Sequence, residues 1–243
     1  MTARNTASLG YFALIGDTKV TVFLTYADEE SCTVDHIWTL NFVDFIGQGF
    51  GLSIKHLDFS NDCENFVAYT NTGQIAQWDV KRQKFDHKIF TVRSQDRPVT
   101  AIRSVKNSHT IITYSKQQNL FMIINARAMQ DIHNHDGLPE DCIIRINPSG
   151  DGFQHVVNFQ VDNSEQFLIC AFAKNKVGVY LLRTGELVMH HEDRALFCED
   201  SYIDETCCYM ATLDENRRYA NIHTFEWLYK VDVPTVPKQR NKE

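Results

Sequence analysis

Two histidines and an aspartate stand within four residues at His133-Asn134-His135-Asp136. Two imidazoles and a carboxylate supply part of a zinc or iron ligand set. A complete site needs three or four ligands in correct geometry, and Cys142 is the only soft candidate nearby. The same stretch reads equally as a polar loop bounded by Gly137, Pro139 and Pro148. His190-His191, followed by Glu192 and Asp193, is a second cluster. Neighbouring strand residues point to opposite faces, so this pair is poorly placed to share one metal, and a solvated turn is expected there. Cys207-Cys208 falls in the apolar run Thr206–Thr212, where one thiol is expected to be buried and inert. A reactive thiol needs an adjacent base or cation, and none accompanies this pair.

Motifs for covalent or nucleotide chemistry are missing. The sequence holds no Gly-x-Ser-x-Gly elbow, no phosphate loop ending in Gly-Lys-Ser or Gly-Lys-Thr, and no Gly-x-Gly-x-x-Gly. Gly47-Gln48-Gly49-Phe50-Gly51 is glycine-rich but precedes a strand, without the following helix that would hold a phosphate. A turn explains it better. No catalytic residue, cofactor or metal site is therefore assigned, and an enzyme is not expected.

The elements that would position these residues are short strands. Apolar runs of strand length recur throughout: Val20–Tyr26, Ile37–Phe45, Phe66–Thr70, Ile111–Tyr114, Leu120–Ile124, Phe167–Phe172 and Val177–Leu182. β-Branched and aromatic residues dominate them, as a pleated, half-buried surface prefers. Polar turns at Ala27–Glu30, Asn71–Gly73, Gln117–Asn119, Lys174–Lys176 and Asp214–Asn216 each separate two such runs. Each reads as a hairpin tip, where Asn, Asp and Gly tolerate the required backbone angles. Only Ala126–Ile132 suggests a helical turn or two.

Composition agrees with a folded all-β chain. Of 243 residues, 43% are hydrophobic and 12% aromatic, enough to bury a core. A net charge of −7 disfavours broad contact with a nucleic-acid backbone, which needs clustered Lys and Arg. The first ten residues do not read as a signal peptide or anchor, and no run approaches the ~18 apolar residues of a transmembrane helix. Seven irregularly spaced cysteines, an odd count, suggest reduced thiols in the cytoplasm or nucleus.

Self-comparison carries the most information. The segment His56–Lys84, HLDFSNDCENFVAYTNTGQIAQWDVKRQK, has a strand ending in Phe59-Ser60, a turn with Asp62, a strand Phe66–Thr70, a Gly turn and a strand ending in Trp78-Asp79. Val156–Val188 repeats this plan, with Phe159 and Asp162 matching Phe59 and Asp62, and Tyr180 in the place of Trp78. Its Arg183-Thr184-Gly185-Glu186 is a similar strand exit. Weaker copies are Pro98–Asn125, opening PVTAIRS and ending in Ile124-Asn125; Arg194–His223, with Phe197 and Asp200; and Tyr11–Phe45, with Trp38. The anchors Trp38, Trp78, Ile124, Tyr180 and His223 are 40, 46, 56 and 43 residues apart. Those gaps bracket the ~40–45-residue period of a propeller blade.

These segments resemble WD repeats, and the chain as a whole is similar to a divergent WD-repeat β-propeller. The resemblance implies about five four-stranded blades near 11–46, 52–92, 98–147, 153–191 and 194–233, in one domain 1–233 with a flexible tail 234–243. Trp38, Trp78, Asp79 and Tyr180 would be structural. Only Trp78-Asp79 is a true Trp-Asp pair and no Gly-His occurs, so most blades are expected to rely on apolar packing rather than the family's buried hydrogen-bond network. Five copies also fall short of the family's usual six to eight. The ring then closes with five blades, borrows strands from a partner, or belongs to a longer protein, because open sheet edges need covering.

Function in this resemblance lies in loops between blades. The loops Arg93–Arg97 and Glu192–Arg194 would line the face most used for partners, with Arg93, Gln95, Arg97, Glu192 and Arg194 as contact residues. The expected role is a non-catalytic protein–protein interaction scaffold, a subunit of a larger intracellular assembly without membrane insertion. Two alternatives remain: a metal-dependent hydrolase using His133–Asp136, and a phosphoinositide-binding propeller. The latter family carries a paired arginine, as Arg217-Arg218 here, but with a Gly where this chain has Tyr219.

Overall fold

The computed structural model describes residues 8–27, 31–41, 44, 52–59, 65–79, 84–92, 98–105, 110–125, 140–192, 201–203, 207, 209–213 and 220–224. Among these, five antiparallel sheets follow one another along the chain. Contacts divide the chain into two compact units, Met1–Gly150 and Asp151–Glu243.

The first unit holds three sheets. One is formed by β1 (Ser8–Ile15), β2 (Lys19–Ala27) and β3 (Cys32–Asn41). The next runs β4 (Ile54–Phe59), β5 (Asn65–Thr70), β6 (Gln74–Asp79) and β7 (Lys84–Thr91) in sequential order. The third comprises β8 (Ala101–Ser104), β9 (Thr110–Ser115), β10 (Leu120–Asn125) and β11 (Ile143–Ile146), the last preceded by a 3-10 turn at Glu140–Cys142. In the second unit, β12 (Val156–Val161), β13 (Phe167–Phe172), β14 (Lys176–Leu181) and β15 (Leu187–Glu192) make one sheet. β16 (Ser201–Ile203), β17 (Tyr209–Leu213) and β18 (Ala220–Thr224) make the other.

Three hairpin tips fall where the polar turns predict them, joining β5 to β6, β9 to β10 and β13 to β14; residues 28–30 and 214–216 of the other two predicted turns lie outside the described residues. The turn residues take the backbone angles expected of them: Gly73 at φ 87°, Asn119 at 50° and Asn175 at 62°. One boundary differs. Of the run Ile37–Phe45, the part to Asn41 belongs to a strand that starts earlier, at Cys32, because β3 pairs with the whole length of β2 back to Ala27; residues 42, 43 and 45 lie outside the described residues.

The middle strands β5 and β9 are buried at every residue after the first, and β13 throughout. A strand covered on one side alternates apolar and polar residues; one covered on both reads as a continuous apolar run. The two faces of β5 show why. Phe66, Ala68 and, on β6, Ala76 and Trp78 form an apolar layer with Val20 and Val22 of β2. Val67, Tyr69 and Ile75 form another with Ile102, Ile111, Met122 and Ile124 of the third sheet. In the second unit, Phe167, Ile169, Ala171, Val177, Val179 and Leu181 pack on Ile203, Met210 and Cys207. Within each unit the core is thus layered between neighbouring sheets.

Candidate functional site

Four of the five repeat anchors occupy one structural position. Trp78 pairs with Phe66, Ile124 with Ile111, Tyr180 with Leu168 and His223 with Met210. Each pairing joins the second residue of a sheet's second strand to the penultimate residue of its third. Trp38 departs from this register, pairing with Val22 inside longer strands that carry a bulge beside it. Trp78, Ile124 and Tyr180 are fully buried. Phe66 stacks on Trp78 at 4.9 Å and on Trp38 at 5.5 Å, so the first two anchors share one aromatic ring. Asp79 ends β6, its backbone opposite Asn65 and Lys84; its side chain lies outside the described residues.

One repeat equivalence is corrected by the register. Phe59 pairs with Phe66, whereas Phe159 pairs with Cys170, and it is Val161 that pairs with Leu168. Phe159 is therefore equivalent to Leu57, two residues away and on the same face. Five residues separate β4 from β5 and β12 from β13 alike, so the match of Phe159 to Phe59 is two residues out of register, which similarity of residue type alone did not reveal. Asp162 organises the turn between β12 and β13. Its carboxylate accepts from the backbone N–H of Ser164 at 3.0 Å, Gln166 at 3.0 Å and Phe167 at 2.7 Å, and from the Ser164 hydroxyl.

Polar contacts also tie first strands together within each unit, and these were not legible in sequence. Asp58 on β4 pairs with the Arg103 guanidinium on β8 at 2.8 Å and accepts from the Ser104 N–H at 3.2 Å. Asn158 on β12 donates to the Ser201 carbonyl on β16 at 3.0 Å. Asp58 and Arg103 sit 45 residues apart, and single charges inside apolar runs give no sign of their partners.

The expectation of purely apolar blades is also corrected, since several repeats carry a side-chain hydrogen bond of their own. The Tyr180 hydroxyl donates to Asp151 at 3.1 Å. Burial, with Cys170 and Asp151 adding to it, pushes this phenol well above its usual range and holds it as a donor. The Tyr114 hydroxyl donates to Asn119 at 2.9 Å, and Asn119 in turn to Ser149 at 2.9 Å. His223 lies 3.1 Å from the Thr212 hydroxyl.

Asp58 provides a pH test. Burial raises its carboxyl above the ordinary value, with Arg103 and the Ser104 N–H pulling the other way. A raised folded-state pKa means that the folded chain holds this proton more tightly than the unfolded one. The contribution to stability is then fullest below the unfolded carboxyl pKa of ~3.9 and declines as pH rises through the folded value. Relative to wild type, Asp58→Asn is expected to gain stability between pH 4 and pH 7, as read by denaturant melts at both. A difference that is constant with pH contradicts this assignment.

The residues singled out for chemistry are placed as follows. His190 and His191 are exposed on β15, opposite Gly178 and Val177, rather than in a turn; the ladder of β14 with β15 continues to Lys176 and Glu192 and holds them in the strand. Cys207 is buried in the layer beside Met210 but precedes β17, which begins at Tyr209. Its φ of 56° takes it out of the extended run expected there. Among the described residues Cys32, Cys142 and Cys170 are free thiols, and complete burial raises the Cys170 thiol well above its usual range. Glu192 is exposed at the end of β15 and pairs with Lys176 at 3.2 Å. Arg93, Gln95, Arg97, Arg194, His133–Asp136, Arg217, Arg218, Cys208 and residues 47–51 and 234–243 lie outside the described residues. Among the described residues no three His, Cys, Asp or Glu side chains gather to hold a metal ion, and no helix is long and apolar enough to cross a membrane.

Among the described residues two sheet faces carry exposed apolar side chains. In the fifth sheet, Tyr202, Ala211 and Ile222 lie in one row across the three strands, and Tyr202 and Ile222 are 59% and 73% exposed. In the first sheet, Leu14 and Val34 lie on one face with Thr21 and Thr25, both valine and leucine exposed.

No protein-family model matches the chain, and no curated protein matches it in sequence. Among solved structures it is similar to the β-propeller domain of Cps50 (Swd1) from Myceliophteria thermophila, at 13% identity and a TM-score of 0.54, over 93% of this chain and 70% of that one. A functionally unknown protein from Desulfotomaculum acetoxidans is similar at 13% identity and a TM-score of 0.53, over 89% of this chain and 65% of that one. With its successive antiparallel sheets and the apolar layers between them, the chain has the β-propeller fold. It spans about two thirds of the length of these two structures.

Proposed function

We propose that the chain is a non-catalytic, WD-repeat-like scaffold for protein–protein interaction, a module of a larger intracellular assembly. The reading is supported by where the chemically capable side chains go. Asp58, Asn158, Asp162 and Tyr180 are each engaged in holding strands or turns. Their hydrogen-bonding capacity is used within the sheets and turns, as a frame requires. Such a frame presents its loops to partners, and the proposed contact residues are Arg93, Gln95, Arg97, Glu192 and Arg194 at the blade junctions. The free thiols accord with a reducing compartment, cytoplasm or nucleus. The proposed domain is 1–233, with 234–243 as a tail.

Charge reversal at Arg97 or Arg194 tests the proposal. Exposed charges contribute about 0–1 kcal/mol to folding, yet at an interface they steer encounter and exclude wrong partners. The circular dichroism of Arg97→Glu and Arg194→Glu is expected to match wild type, while retention of native partners in quantitative co-purification falls. Unchanged partners in both variants, together with loss of a measurable turnover in His133→Ala, would replace the scaffold by an enzyme.

A further inference from the structure

We infer that a water molecule is bound between the second and third sheets, held by Gln77, Thr113 and Ser115. Residues 111, 113 and 115 alternate onto one face of β9. Ile111 belongs to the apolar layer between these sheets, as do Ile102 and Met122, the cross-strand neighbours of Thr113. Thr113 and Ser115 therefore carry their hydroxyls into that layer. Gln77 enters it from the other side, since its neighbour on β5 is Val67, a member of the same layer. Gln77, Thr113 and Ser115 are 2%, 1% and 3% exposed, and among the described residues Gln77 Oε1, Thr113 Oγ1 and Ser115 Oγ have no hydrogen-bond partner.

The chemistry of these three groups selects the ligand. An unpaired polar atom inside an apolar layer is costly, and folded chains pair nearly all of theirs with protein or ordered water. Residues two apart on a strand stand about 7 Å from each other, too far for one hydrogen bond and close to the span of two through a bridging water. Gln77 Oε1 only accepts, whereas each hydroxyl both donates and accepts. A water that donates to Gln77 and exchanges hydrogen bonds with the two hydroxyls makes the roughly three bonds usual for a buried water. A metal ion suits the site less well. All three oxygens are uncharged, so a cation there would be a buried charge without compensation. The carboxylate in the same row as Val67 and Gln77, that of Asp58, is already engaged by Arg103 and the Ser104 N–H.

Two measurements on the full chain separate a bound water from three orphaned groups. In urea melts, Thr113→Val replaces the hydroxyl by a methyl of the same size. It is expected to raise the unfolding constant at least ~fivefold, because the water and its other partners lose a bond. The combined variant Gln77→Met, Thr113→Val, Ser115→Ala removes every polar partner and should lose less stability than the three single changes added together. In water-selective NMR, the Thr113 methyl of the wild type should show cross-relaxation with a long-lived water, and the combined variant should abolish the corresponding signal at residue 113. The wild-type spectrum decides alone if the combined variant fails to fold. A Thr113→Val that is neutral or stabilising overturns the inference, since an orphaned hydroxyl is better replaced by a methyl. Strictly additive losses overturn it as well. So does coupling among the three residues without the water signal, which means that Gln77 bonds a hydroxyl directly.

Discussion

Trp78→Ala is expected to lower the unfolding free energy by about 3–5 kcal/mol, the cost of truncating a fully buried aromatic side chain. The indole is 1% exposed and stacks face to face on Phe66, which also contacts Trp38. Removing it opens a void between the first and second sheets and leaves the Phe66 ring without one of its two supports. The lost packing therefore reaches both sheets of that layer. Trp78→Phe keeps an aromatic ring against Phe66 and should cost distinctly less. Urea melts of the two variants read the difference, and a neutral Trp78→Ala would overturn the assignment of Trp78 as the anchor of its sheet.

Gly178→Val is the second large effect. Glycine inside a strand ordinarily weakens it and marks a place where another group approaches closely. Here a Cβ on Gly178 would stand 2.9 Å from Cε2 of Phe172 and 3.5 Å from Cε2 of Phe153. Those two rings stack on each other at 4.3 Å, which leaves neither free to retreat. Overpacking of this kind costs about 1–3 kcal/mol. Val is otherwise favoured in strands, so a loss of stability in spite of that preference isolates the steric term. Gly178→Ala should lie between valine and wild type. Thermal melts in which valine stabilises the protein would show that the Phe153–Phe172 pair yields, contrary to the packing described here.

The amino-acid sequence alone determined the repeating plan, because that plan depends on local chemistry. Strand residues are β-branched and aromatic, turns carry Asn, Asp and Gly, and the anchors recur at blade-like spacing. Hence Phe167–Phe172 is legible as a strand to its last residue, and Trp78, Ile124, Tyr180 and His223 share a register. Tertiary structure decided what each face of a strand meets. Phe66 and Val67 are adjacent apolar residues, yet they enter different layers, a consequence of side-chain alternation in a sheet packed on both sides. Pairings across long separations, such as Asp58 with Arg103 and Asn158 with Ser201, also waited for the fold, since nothing local to either residue encodes its partner. The same holds for the open face of Tyr202 and Ile222. In sequence they sit in short mixed runs like those of any half-buried strand, and only the packing of Met210 on the opposite side shows which face was left uncovered.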